Sequence, residues 1–225
     1  MPTLRKMTAL LVLALLMACS TPSAYTTETE QLVDRARITF QSMLKDNQYP
    51  GLVDLSSRAK AIIIVPSQLR AAFFVGGSGG NAVMLVRDQQ NQWSPPAFYT
   101  LGGLSFGLQI GGSASEIVIA VMTQKGLEAI MDRRVTLGGD AGIAIGEIGK
   151  GLNASTAIGL NADMYAFARS EGLFAGISLE GSVIAPRHSW NQQFYGASVE
   201  PRDILINRTV RTNNLAAIAL IKAMP

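Results

Sequence analysis

Glycine set inside period-two apolar runs is the feature that most restricts what this chain folds into. The 225 residues include 22 glycines, and many fall within stretches that otherwise read as strands. Leu104, Phe106, Leu108 and Ile110 alternate with Ser105, Gly107, Gln109 and Gly111. Further on, Leu173, Ala175, Ile177 and Leu179 alternate with Phe174, Gly176, Ser178 and Glu180. Strict alternation places one residue set on each face of a sheet. Glycine inside a strand weakens pairing and marks bulges, curvature or close backbone approach. Many such positions together predict a coiled sheet rather than a flat one.

Helices bracket these strands. Thr27 and Glu30 have the spacing of a capping box, and Leu32, Ala36, Phe40, Met43 and Leu44 follow at helical intervals. A turn at Tyr49-Pro50-Gly51 ends that helix, and 52–60 reads as a second short one. Residues 62–65 form a buried-strand run that Pro66 is expected to stop, and Gly76-Gly77-Ser78-Gly79-Gly80 is expected to bend the chain between two strands. A brief helix is predicted over 124–134, strands over 141–146, 161–169 and 173–184, and an apolar closing helix over 213–224. The fold class is therefore α+β: a single domain with a curved or barrel-like, glycine-rich antiparallel sheet and helices at the N- and C-terminal ends.

The first nineteen residues read as an address. Arg5 and Lys6 precede an apolar run over 7–17 broken only by Thr8, too short to span a bilayer but of signal-peptide size. Leu16-Met17-Ala18-Cys19 resembles the bacterial lipobox, whose cysteine sulfur receives diacylglycerol before cleavage leaves it first. The expected organisation is a lipoprotein signal peptide over 1–18, an acylated tether over 19–26 and a binding domain over 27–225. Two or three acyl chains hold a protein on a membrane stably, where one does not. Ser20 after the cysteine points to the outer membrane, periplasmic face. Lipidation of Cys19, the only cysteine, also removes thiol chemistry and any internal disulfide.

Charge narrows the partners. The formal net charge is +3, but removal of Arg5 and Lys6 leaves 17 basic against 16 acidic residues. That near-neutral balance, with scattered rather than clustered cations, argues against nucleic acid as a partner. At 48% hydrophobic and 16% charged residues, disorder is also excluded.

Chemistry-bearing motifs are sparse. The cluster at 76–80 lacks the Lys-Ser/Thr of a P-loop and precedes a strand rather than a helix. Gly138-Gly139-Asp140-Ala141-Gly142 lacks a βαβ setting. The single histidine, His188, reads as a surface-turn residue, and zinc would need more ligands than the chain offers. Asp140, Glu147, Asp163 and Glu171 are the carboxylates from which a hydrolase would have to be built. No catalytic residue, metal site or cofactor is expected. Arg58, Lys60, Arg70 and Arg169 are the candidate cations for a lipid headgroup.

Seven phrases, in order, resemble the SYLF-domain family of bacterial lipoproteins and eukaryotic lipid-binding adaptors. They begin with Ala59-Lys60-Ala61-Ile62-Ile63-Ile64-Val65-Pro66, Gly76-Gly77-Ser78-Gly79-Gly80 and Trp93-Ser94-Pro95-Pro96-Ala97-Phe98. Gly107-Leu108-Gln109-Ile110-Gly111, Leu137-Gly138-Gly139-Asp140-Ala141, Ala168-Arg169-Ser170-Glu171-Gly172-Leu173-Phe174-Ala175-Gly176 and Asn191-Gln192-Gln193-Phe194-Tyr195-Gly196 follow. Ala72, Arg70 and Glu147 depart from the family's usual glycine, lysine and proline. The resemblance implies phospholipid binding, known as phosphoinositide binding in eukaryotic relatives, and brings no catalytic residues. In a bacterium the headgroup would be another anionic one, with the acylated Cys19 as a separate membrane contact. The alternative is a structural envelope protein whose domain recruits a protein partner.

Overall fold

A computed structural model describes residues 27–73, 75–106, 111–131, 133–146, 162–172 and 179–225. The expectations for the signal peptide, Cys19, Glu147 and the alternating runs at 107–110 and 173–178 lie outside these residues. The chain opens with α1 (Glu28–Leu44) and α2 (Pro50–Arg58). Four long strands follow: β1 (Ala61–Phe73), β2 (Val75–Val86), β3 (Ala97–Phe106) and β4 (Gly111–Val121). Then come α3 (Gln124–Met131), β5 (Val135–Thr136), β6 (Ile143–Gly146), β7 (Met164–Gly172) and β8 (Val183–Pro186). Three helices close the chain: α4 (His188–Tyr195), α5 (Pro201–Leu205) and α6 (Leu215–Ala223).

The strands form one eight-stranded sheet in the order β5-β8-β3-β2-β1-β4-β7-β6, curled into a half-barrel. Pairing is antiparallel throughout except between β6 and β7, which run parallel. This is the expected α+β single domain with helices at both ends.

Local sequence accounts for the helices. Thr27 Oγ1 accepts from the backbone N–H of Glu30, and Glu30 Oε2 accepts from the Thr27 N–H at 2.8 Å, completing the predicted capping box. Pro50 stands in the first turn of α2, where its missing N–H costs nothing. Gly196, with φ of 70°, closes α4 in the left-handed conformation. That helix replaces the surface turn expected around His188, which caps no turn but stands exposed at the helix start, its Nδ1 3.3 Å from Glu200 Oε2.

Both faces of the sheet are covered along the first half of β1. On one face Ala61, Ile63, Val65, Met84, Tyr99 and Ile119 pack against α3 and α5. On the other, Ile62, Ile64, Val83, Leu85, Phe98 and Val118 pack beneath α1, α2, α4 and α6. The apolar stripe of α1 is spent here: Val33, Ala36, Phe40 and Met43 are fully buried. Each large apolar side chain sealed this way contributes about 1.5–3 kcal/mol.

Two expectations about β1 and β2 need correction. Pro66 does not stop β1, which runs seven residues further; instead the register against β2 shifts between Ile64 and Ser67. A bulge needs no ladder bond from its extra residue, so a proline without an N–H fits there. Nor does Gly76-Gly77-Ser78-Gly79-Gly80 bend the chain. It lies straight within β2, paired on both sides.

Candidate functional site

The Pro66 bulge divides the helix-bearing face of the sheet into three bands. Nearest the helices, Phe98, Val83, Ile64, Val118 and Phe167 stand opposite one another on five neighbouring strands, all buried. The next row is polar: Thr100 pairs with Asn81 and Asn81 with Ser67, while Glu116 pairs with Arg169 across β4 and β7. Beyond it the side chains shrink. Val183, Gly102, Gly79, Leu69, Ala114 and Glu171 form one continuous cross-strand row, followed by Leu104, Gly77, Ala71 and Gly112.

The polar row is a seam between helices and sheet. Thr39 Oγ1 on α1 donates to Glu116 Oε1 at 2.7 Å, and Arg169 Nε donates to Glu116 Oε2 at 2.7 Å. Arg169 Nη1 also donates to Ser42 Oγ at 3.2 Å and lies 3.9 Å from Asp46 Oδ2. The hydrogen bond to Glu116 raises the Arg169 pKa above its ordinary value. Tyr49 O–H donates to the Ala168 carbonyl at 3.0 Å, and burial pushes its phenol up. Across the sheet, Arg187 donates to Asn81 Oδ1 and stacks on Trp190 with 3.8 Å from its guanidinium carbon to the ring centroid.

Past the seam, among the described residues, no helix covers this face. A groove of about 1060 Å³ opens there, lined by Leu69, Leu104, Gly77, Gly79, Gly102 and Val183, among others. Leu69 and Leu104 are 64% and 78% exposed, uncommon for large apolar side chains that share one patch. A Cβ placed on Gly77 or Gly79 would meet nothing within 4 Å, so the floor is bare backbone beside open space. Arg134 and Glu171 bring charge to the lining, while Arg70, between Leu69 and Ala71, borders it by backbone and turns its side chain to the opposite face. Such a surface accepts an apolar chain against a flat backbone, with Arg134 in the lining near a head group.

The four candidate cations do not converge. Arg58 pairs with Asp54 on α2. Lys60 precedes β1, exposed, its backbone N–H bonded to the Val121 carbonyl at 2.8 Å. Ten strand residues at about 3.3 Å each separate Lys60 from Arg70 by roughly 33 Å. Arg70 borders the groove by its backbone but turns its side chain to the opposite face of β1, and Arg169 is committed to the seam. Arg134 and the exposed leucines were not among the sequence candidates; the shared parity of Gly102 with Leu104 and of Gly77 with Gly79 was the signal that identified their face.

The carboxylates have structural occupations. Asp140 Oδ2 accepts the Thr136 N–H at 2.8 Å within a turn that Gly138 enters at φ of 83°. Asp163 accepts from Thr123 Oγ1 at 2.5 Å, from the Gly142 N–H at 3.1 Å and from Lys125 Nζ at 3.3 Å. The Thr123 bond, foremost, holds its carboxyl below the usual range. Glu171 is exposed in the groove lining. The glycine cluster also spells Gly-x-Ser-x-Gly, the pattern of a nucleophile elbow. Ser78 sits mid-strand, not on a strand-to-helix turn, and its Oγ accepts from Gln68 Nε2 at 3.4 Å. Among the described residues no group of three or more His, Cys, Asp or Glu side chains is placed to hold a metal.

Comparison with known proteins gives this geometry a family. A family model described as "Ysc84: Las17-binding protein actin regulator" matches residues 102–224. The human protein named "SH3 domain-containing YSC84-like protein 1" is 34% identical over 156 residues, 69% of this chain and 45% of that protein. Its Xenopus laevis counterpart is 37% identical over 135 residues, 60% of this chain and 40% of its own. "LAS seventeen-binding protein 3" of Saccharomyces cerevisiae is 32% identical over 175 residues, 74% of this chain and 38% of its own. The chain therefore spans less than half the length of these relatives. No solved structure matches it. The matched residues run from the second half of β3 through α6, and the chain belongs to the Ysc84, or SYLF-domain, family, a family of binding proteins rather than enzymes.

Proposed function

We propose that this chain is a non-enzymatic binding protein of the bacterial cell envelope, held on the periplasmic face of the outer membrane by acylated Cys19. Its ligand is an anionic phospholipid or a related lipidic molecule, taken at the uncovered sheet face. The observation that carries this reading is the pairing of exposed Leu69 and Leu104 with a backbone floor at Gly77 and Gly79. An acyl chain has the shape and polarity for that surface, and Arg134 in its lining suits a phosphate. Arg58 and Lys60, distant from the groove, add only general attraction to an anionic surface.

A second reading has its own support. The yeast relative is named for binding Las17, and the family description names the same partner. Those names favour recruitment of a protein partner over lipid, and the same exposed face offers a protein apolar anchor points.

Flotation separates the two. Residues 20–225, which lack Cys19, are mixed with vesicles of graded anionic content at low and high salt. Binding that rises with anionic lipid, falls with salt and is lost in a Leu69→Asp/Leu104→Asp variant supports the lipid reading. No flotation at any composition leaves a protein partner as the ligand and Cys19 as the membrane contact.

A further inference from the structure

α6 is almost wholly apolar, with the sequence Leu-Ala-Ala-Ile-Ala-Leu-Ile-Lys-Ala, yet among the described residues only one side of it packs against the domain. Ala217 and Leu220 are buried in the helix-side core, with Ala216 and Ile221 partly buried beside them. The opposite stripe, Leu215, Ile218, Ala219 and Lys222, follows the i, i+3, i+4, i+7 spacing of a single helix face. Leu215 is 82% exposed, more than any other large apolar side chain among the described residues, and Ile218 and Ala219 are partly exposed. A helix apolar all round is ordinarily enclosed.

The position of that stripe says what covers it. Asn214 caps α6, its Oδ1 accepting the Ala217 N–H at 3.1 Å, while its Nδ2 donates to Glu30 Oε1 at 2.6 Å. Glu30 belongs to the first turn of α1, so Leu215 lies beside the first of the described residues. Between Cys19 and Thr27 stand seven residues, 20–26, which reach at most about 25 Å when extended. An acylated Cys19 thus keeps the start of α1, and Leu215 with it, close to the bilayer. Exposed Arg211 and Lys222 bracket the stripe with positive charge, against one exposed carboxylate, Glu28, on the neighbouring turn.

We infer that the Leu215–Ile218–Ala219 face of α6 rests on the membrane that holds Cys19 and sets the domain's orientation there. This rests on the lipoprotein reading above. The apolar stripe of α1 is buried in the core and has no surface left for such a contact, whereas that of α6 does. Since α6 and the groove share one face of the sheet, the groove lies on the bilayer side of the sheet.

Depth-dependent quenching tests this on the full acylated chain, purified from bacterial membranes and reconstituted in phosphatidylethanolamine–phosphatidylglycerol vesicles. Cys19 is blocked as a thioether, so Leu215→Cys, Ile218→Cys and Glu128→Cys each carry one reactive thiol for an environment-sensitive dye. Glu128 is exposed on α3, on the opposite sheet face. Spin-labelled phospholipid is expected to quench the dye at 215 and 218 several-fold more than at 128. Equal quenching at all three positions in an acylated protein overturns the orientation and leaves the anchor intact. A mass spectrum without the diacylglyceryl increment on Cys19 overturns the lipoprotein reading and this inference with it.

Discussion

Arg169 on β7 and Glu116 on β4 are register partners whose side chains meet at the edge of the helix layer, Nε to Oε2 at 2.7 Å. Thr39 on α1 holds the second oxygen of the same carboxylate. One acid therefore ties two strands and a helix together at the line where coverage of the sheet ends. Both side chains are about a third exposed, which weakens the charge attraction but leaves the directional bonds. Removing the arginine strands a partly desolvated carboxylate. Arg169→Ala is expected to cost about 2 kcal/mol in urea unfolding. Thr39→Val should cost about 1 kcal/mol, and the double variant less than the sum because both act on Glu116.

Neighbouring glycines should respond oppositely to the same substitution. A Cβ on Gly80 would lie 2.6 Å from the Ser67 carbonyl oxygen and 2.9 Å from Val65 Cγ1, inside the bulge. Gly80→Ala is expected to destabilise by about 1–3 kcal/mol. Gly77→Ala and Gly79→Ala enter open space and should stabilise by about 0.5–1 kcal/mol through lost chain entropy. Chemical denaturation of the three variants decides it, and a destabilised Gly79→Ala would contradict the uncovered floor.

Acid should loosen the domain through Asp163. Its carboxyl is held below the ordinary range by Thr123, the Gly142 N–H and Lys125. A depressed folded pKa contributes stability that is present above the unfolded value of about 3.9 and is lost as pH falls through the folded value. Asp163→Asn is therefore expected to lower stability at pH 7, with the gap to wild type narrowing as the medium falls below about pH 4. Lys125 is largely exposed, so Lys125→Ala should change stability by less than about 0.5 kcal/mol. Thermal melts across pH 2–7 give the comparison.

Amide exchange should fall into two classes along single strands. Ile62, Ile63 and Ile64 are sealed on both faces, whereas Leu69 and Ala71 on the same strand face solvent. Protection is expected to be near-global at the first set and markedly lower at the second. Uniform protection along β1 would mean that something covers the groove in solution.

The helices and the buried half of the sheet were legible in the sequence because their signals are local. Thr27 and Glu30 announce a capping box three residues apart, and Phe40 and Met43 sit on the stripe that the core consumes. What escaped was set by tertiary pairing. Pro66 looks like a strand end until a bulge absorbs its missing N–H, and five residues dominated by glycine look like a bend until both neighbours hydrogen-bond to them. The site suffered for the same reason. Arg58, Lys60, Arg70 and Arg169 attract notice as charges, but register turns Arg70 away from the groove face while Arg169 is spent on Glu116. Leu69 and Leu104 carry no motif; their exposure follows from where the helix layer stops.

The bulge at Pro66 has a consequence for how such a protein changes over time. Upstream of it, β1 spends its side chains on the interior, and every substitution is judged by packing. Downstream, positions 69, 77, 79 and 104 touch little of the protein itself, so they are free to drift without penalty to folding. Three neighbouring strands thus join a packed foundation to an editable tip, and a lineage can retune what the tip grips while inheriting the same scaffold.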